Sequence, residues 1–201
     1  KYKIDNSISY QDSINIIKDK LLKSVELRLR SDKEIAFCMS GGIDSTALAS
    51  IAKIVFNKKI STFSIIDKDQ RYNELSNINY MNKYLEATNQ LIKLDKKHDL
   101  NELNKLISYH ECPVSTISYY IHYLMTKKIK QNKFSVSFSG VGSDEIFTGY
   151  YDHYLLYFAS INDSKLRNIE MDKWRKHSLP FIRNKELKDP KTYIKQQYNT
   201  N

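Results

Sequence analysis

The stretch "CMSGGIDSTAL", Cys38 to Leu48, decides how the chain is read. Before it runs "EIAFCM" (Glu34 to Met39), a short apolar run suited to a strand buried on both faces. After it runs "TALASIAKIVF" (Thr46 to Phe56), rich in alanine and leucine and therefore helix-forming. Between them, Gly41 and Gly42 let the backbone turn sharply and approach a ligand with no Cβ in the way. The N–H groups that follow open a helix, so several unpaired donors point the same way as the positive end of the helix dipole. A phosphate is the natural guest, and Ser40, Ser45 and Thr46 add hydroxyl donors. Asp44 is the odd member, because a carboxylate beside a phosphate repels it. Two roles fit it: capping the helix, or holding Mg²⁺ that the phosphates share. The loop lacks the lysine and the spacing of a Walker motif. Taken alone it also fits a purely structural turn.

Outward from the loop, strands and helices alternate. Gln11 to Arg30 carries Ile14, Ile17, Leu21 and Val25 at helical spacing. Lys59 to Ile66 is β-branched and aromatic and reads as a second strand. Helix is expected around Glu74 to Ala87, strand around Gln90 to Leu94, and helix over Leu100 to Ser108 and Ile117 to Ile129. Phe134 to Phe138 reads as another strand, followed by a second glycine loop, "SGVGSDE" (Ser139 to Glu145), and a helix running through "IFTGYYDHYLLYF". Such alternation implies parallel strands joined by right-handed crossovers. The expected fold is an α/β open, doubly wound parallel sheet flanked by helices, in which ligands sit beyond the carboxyl ends of the strands. Both glycine loops follow strands, so both belong to that edge.

The 201 residues suggest one domain, read as a fragment because the chain opens on Lys1. The segment 160–201 is expected to be basic, mostly helical and incomplete. Hydrophobic residues make up 41% of the chain, enough for a buried core, and no apolar run is long enough to cross a bilayer. With no signal peptide and only Cys38 and Cys112, the expectation is a cytoplasmic protein with reduced thiols. The charge of +9 is read as a lysine-rich solvated surface. Neither a nucleic acid nor a membrane is expected as partner. His110, His122, His153 and His177 share no metal-ligand spacing.

"SGGIDS" resembles the signature of the PP-loop ATP pyrophosphatases, which split ATP between its α and β phosphates. The flanks, "LLKSVELRLRSDKEIAFCMSGGIDSTALA", resemble the opening of the synthetase domain of asparagine synthetase-like amidotransferases. "FSGVGSDEIFTGY" (Phe138 to Tyr150) resembles that family's second motif. The two lie in the family's order, about 100 residues apart. The resemblance implies ATP and Mg²⁺ as cofactors and an acyl-adenylate chemistry that amidates a carboxylate. It implies a nucleotide site built from Met39, Ser40, Gly41, Gly42, Ile43, Asp44 and Ser45, with Ile65 offering backbone to adenine. Ser139 and Gly140 would lie near the α-phosphate and ribose, with Asp44 and Asp144 on the metal. The substrate would be an aspartate-like or sugar-acid carboxylate. Ammonia would come from glutamine through a glutaminase domain or partner, and the glutaminase domain is expected to be absent from this chain.

One position departs from the pattern. Where the family's second motif carries glutamate, this chain has Val141, which can neither take a proton nor hold a nucleophile. Three readings follow: a substrate other than aspartate with the proton work done elsewhere, a weak or inactive enzyme, or a position that only shapes the pocket. The first is preferred. "YHECPVSTISYYIHYL" (Tyr109 to Leu124) points the same way, since it looks more like the relatives associated with surface polysaccharides. Other classes compatible with the loops are a tRNA-modifying PP-loop enzyme and a non-catalytic nucleotide-binding module.

Overall fold

The structure, a computed structural model, describes residues 7–67, 69, 73–94, 100–182 and 184–190. The chain divides into two compact units, Lys1–Gly140 and Val141–Asn201.

The first unit is a four-stranded parallel sheet in the order β3-β2-β1-β4, with β1 at Ile35–Cys38, β2 at Ser61–Ile66, β3 at Thr88–Lys93 and β4 at Val136–Phe138. β1 pairs with β2 through Phe37↔Thr62 and with β4 through Phe37↔Phe138. The chain adds β2 and β3 on one side of β1, then crosses over to place β4 on the other. The order therefore reverses between β1 and β4, which is where such sheets open a crevice at their carboxyl edge.

Alternation along β1 sends its side chains to two cores. Phe37 and Met39 pack with Val25 of α1 (Tyr10–Arg28), with Leu29 that caps its end, and with Ala49 of α2 (Ile43–Ser50), along with Leu85 at the end of α3 (Leu75–Tyr84). Ala36 and Cys38 face the other way, toward Phe63 of β2 and Met125 and Ile129 of α5 (Ile117–Gln131). Burial pushes the Cys38 thiol pKa up, so it stays protonated. Edge-to-face rings tie in β4 and the residues just before it: Phe37–Phe138 at 5.7 Å and Phe63–Phe134 at 5.5 Å. The buried Thr62 hydroxyl donates to Asn82 Oδ1 of α3 at 2.6 Å.

Three expectations are adjusted. In α1 the apolar stripe meets the core only over its last turns: Val25 is buried, whereas Ile14 and Ile17 are exposed. After α2 the chain continues as a π-helical stretch, Ile51–Val55, not as regular helix to Phe56. The helix expected through "IFTGYYDHYLLYF" is two: α6 (Ser143–Phe147) and α7 (Tyr151–Ser160). Thr148, at φ +57°, takes the left-handed conformation between them and stops the first.

The second unit contains α6, α7 and α8 (Ser164–His177), followed by 3₁₀ turns at Leu179–Phe181 and Lys185–Lys188. Its core joins Leu155 and Phe158 of α7 to Met171 and Trp174 of α8, closed by Ile182. Asp163 caps α8, accepting from the Lys165 and Leu166 amides. The rest of the expected helical tail, 191–201, lies outside the described residues.

Candidate functional site

The ladder ends where the loop begins. Met39, buried, makes the last sheet bond by donating its amide to Phe63 O at 2.9 Å. The next residues are braced by one hydroxyl. Ser45 Oγ accepts from the Ser40 amide at 3.1 Å, lies 3.1 Å from Ser40 Oγ, and is 3.2 Å from Gly42 O, to which it can donate. Ser40 Oγ in turn accepts from the Gly42 amide at 3.2 Å. Thr46 Oγ1 donates back to Gly42 O at 2.9 Å. The two serines and the threonine thus hold the loop in a fixed curl, with Gly42 as the helix N-cap and Ile43 the first helical residue.

Gly41 is required at its position. Its φ is +87°, and an added Cβ would stand 3.1 Å from Glu74 Cβ and 3.2 Å from Glu74 O. Glu74, at the start of α3, is a wall of the loop that the linear pattern did not reveal. Asp44 sits half-buried in the first turn of α2, and its side chain makes no hydrogen bond or ion pair among the described residues. Capping is therefore not its role, and the first of the two readings is set aside.

The second glycine loop meets the first. A Cβ on Gly140 would fall 3.1 Å from Asp44 Cβ and 3.1 Å from the Ser45 amide nitrogen. Only a residue without a side chain lets the turn after β4 lie against the opening of α2. Met39, Ser40, Gly41, Gly42, Ile43, Asp44, Ser45, Ser139 and Gly140 are thus gathered around the β1/β4 crevice of the first unit. Ile65 stands on the same edge one strand over, at the carboxyl end of β2.

Asp144 belongs to the second unit, within the first turn of α6. There the chain folds back on it: Gly149 donates its amide to Asp144 O at 3.0 Å, and a Cβ on Gly149 would collide with the Asp144 carboxylate. Val141 is 77% exposed. Glu145 accepts from the Tyr150 hydroxyl at 2.7 Å, which lowers the Glu145 pKa and pushes that of Tyr150 up to about 12. The Tyr150 ring meets His153 edge to face at 5.2 Å, and His153 Nδ1 is enclosed without a hydrogen-bond partner. Among the described residues no three His, Cys, Asp or Glu side chains cluster as a metal site. Nor is any helix there long and apolar enough to cross a membrane.

Comparison with known proteins follows the same outline. The family model for asparagine synthase matches residues 17–200. Asparagine synthetase [glutamine-hydrolyzing] 1 of Bacillus subtilis (strain 168) is 30% identical over 134 residues, covering 67% of this chain and 21% of that protein. An asparagine synthetase [glutamine-hydrolyzing] of Zea mays is 29% identical over 160 residues, covering 74% of this chain and 26% of that protein. The chain therefore spans about a quarter or less of the length of these relatives. Among solved structures, an NH3-dependent NAD synthetase from Campylobacter jejuni, in complex with the nitrate ion, superposes with a TM-score of 0.43 at 13% identity, over 96% of each chain. The family match spans both glycine loops and nearly the whole chain, and on that extent the chain belongs to the asparagine synthase family.

Proposed function

We propose that the chain is the synthetase part of an ATP-dependent, amide-forming ligase. A substrate carboxylate attacks the α-phosphorus of ATP, and pyrophosphate leaves. Ammonia or an amine then displaces AMP from the acyl group, loses a proton and leaves an amide. A free carboxylate does not react with ammonia at neutral pH because oxide is a poor leaving group, and adenylation supplies a good one. The ammonia would come from glutamine, through a glutaminase domain or partner. The observation that carries the reading is the approach of Gly140 to Asp44 and Ser45, which sets the two motif loops face to face at the strand switch point.

The protein's share of the work is positioning and charge. The Ser40–Ser45 loop would hold the β and γ phosphates with amides and hydroxyls, Ile65 would offer backbone to adenine, and Ser139 and Gly140 would face the α-phosphate. Asp44 and Asp144 are proposed to hold Mg²⁺. Asp44 suits that role by itself, since Mg²⁺ is commonly held by one or two carboxylates plus substrate phosphates and water. Asp44 has no protein partner competing for it among the described residues. Bound there, the ion would neutralise phosphate charge.

Valine at position 141 removes the family's ionisable group and argues for a substrate other than aspartate. The test is pyrophosphate release with ATP, Mg²⁺ and a panel of carboxylates. Asp44→Asn should abolish Mg²⁺-dependent nucleotide binding yet change stability by no more than about 0.5 kcal/mol, because the half-buried side chain has no hydrogen-bond or ion-pair partner to lose among the described residues. Failure to bind ATP or AMP with Mg²⁺ refutes the proposal. Val141 also favours one second reading, a nucleotide-binding module without turnover, for which pyrophosphate would be released only after Val141→Glu.

A further inference from the structure

A second concavity lies in the first unit, at the edge of the sheet opposite the glycine loops. Ile35 opens β1, Ser61 opens β2, and Phe134 stands two residues before β4, so three strands begin around one hollow of about 160 Å³. Leu29, Ile35, Phe37 and Phe134 give it an apolar lining. Leu29 and Phe37 are buried, whereas Ile35 and Phe134 are half-buried. Phe37 meets Phe138 and Phe134 meets Phe63 edge to face, so both rings are braced by neighbours.

The rim is cationic. Lys33, Lys58 and Lys59 line the same hollow beside a single acid, Glu34. Three positive charges against one negative leave it at +2. Glu34 lies 3.9 Å from Lys59 with both side chains about three-quarters exposed, a pairing worth little. Lys33 and Lys58 have no ion-pair partner among the described residues. Other lysines of the unit do: Lys127 of α5 donates to Glu102 of α4 (Leu100–His110) at 2.6 Å, and Lys53 to Glu86 at 3.2 Å. Ser61 Oγ accepts from Thr88 Oγ1 at 3.0 Å and keeps its own proton to donate. Basic residues just past α1 and the π-helical stretch also complement the carboxyl ends of those helices. That role needs no apolar hollow beneath them.

Size and lining together select a guest. A cavity of roughly 150 Å³ lined by Leu, Ile and Phe takes one benzene ring. An aliphatic chain of that volume loses rotamer freedom on entering, which a rigid ring does not. A neutral ring leaves the lysines unused, and a bare anion leaves the apolar lining in water.

We propose that the hollow is a binding site for a small aryl anion, with its ring on the apolar lining and its carboxylate or phosphate held by Lys33 and Lys58. The site stands at the other end of the strands from the glycine loops, and it does not depend on the amide-ligase reading.

The experiment is calorimetric titration of the full chain with benzoate, phenyl phosphate, benzyl alcohol and inorganic phosphate. It is repeated on the double variant Lys33→Gln, Lys58→Gln and on Asp44→Asn, with circular dichroism to check the fold. Benzoate or phenyl phosphate should bind at least about tenfold more tightly than benzyl alcohol and inorganic phosphate, and the tighter of the two names the anionic group. The lysine variant should lose about tenfold for that ligand and nothing for benzyl alcohol. Added salt should weaken the anion and spare the alcohol. Asp44→Asn should bind the aryl anion like the parent. The proposal is overturned if neither aryl anion binds, if either control binds as tightly, or if the lysine variant or added salt changes nothing. It is also overturned if Asp44→Asn loses the aryl anion, which would place that ligand at the glycine loops. Should the lysine variant fold poorly, the two controls and the salt dependence of the parent still decide.

Discussion

Replacing Gly140 by alanine tests the contact between the two loops directly. Gly140 has no left-handed φ, so the substitution adds no backbone strain and isolates the steric term. The new methyl would stand 3.1 Å from Asp44 Cβ, 3.1 Å from Ser45 N and 3.3 Å from Asp44 C. Each is inside ordinary contact, and two of the three atoms are backbone that cannot rotate aside. The first turn of α2 must therefore retreat by a few tenths of an ångström. It resists, because Ala49 of the same helix is fully buried and Ser45 is bonded into the loop. Overpacking of this kind costs about 1–3 kcal/mol, and a half-buried site belongs at the low end, about 1 kcal/mol. The functional loss should be larger than the stability loss suggests, because the atoms displaced are those of Asp44 and Ser45. Nucleotide affinity should fall by about tenfold or more, given how steeply misplacement lowers binding and rate. Urea denaturation reads the first effect and titration with ATP and Mg²⁺ the second. Wild-type stability together with wild-type ATP affinity would refute the contact and the site built on it.

Two other substitutions separate effects that Gly140→Ala combines with function. At Gly142 φ is +96° and nothing lies within 4 Å of an added Cβ, so Gly142→Ala should cost only left-handed strain, about 1–2 kcal/mol in thermal unfolding. Glu102 carries a pH signature: bonds from Lys105, Lys127 and Tyr123 lower its pKa from 4.5 to about 2. A depressed carboxylate stabilises the fold fully above its unfolded value and loses that contribution as pH falls from about 4.5 toward 2. Melting temperature should therefore drop across that window, and Glu102→Gln should flatten the drop. A parallel drop in both proteins contradicts the assignment.

Most of the first unit was legible in sequence because its signals are local and strong. The apolar run before Ser40 and the β-branched run before Asp67 read as strands, and glycine at 41 and 42 marked the turn. β1 and β2 accordingly lie where expected, as does the parallel order. What escaped depends on contacts distant in sequence. Glu74 as a wall of the loop is set by how α3 docks, more than thirty residues after Gly41. The aromatic run after Phe147 looks helical throughout, yet Thr148 breaks it so that Gly149 can close on Asp144. Asp44 could be a cap or a ligand on paper; only coordinates show that the cap is Gly42.

The short β4 has a consequence for how the site comes into being. It is three residues long, pairs with β1 alone among the described strands, and meets it across about a hundred residues of chain. β1, β2 and β3 join through nearer neighbours, so closing on β4 is the contact with the largest loop to order. The crevice would thus be completed late in assembly, and a nucleotide held by both loops, as proposed, would act as a clasp on the youngest strand of the sheet. By mass action, nucleotide at a hundred times its dissociation constant would add about 2.7 kcal/mol to that closure. A larger slowing of amide exchange over Val136–Phe138 than elsewhere in the sheet, when ATP is added, is how that clasp would be seen.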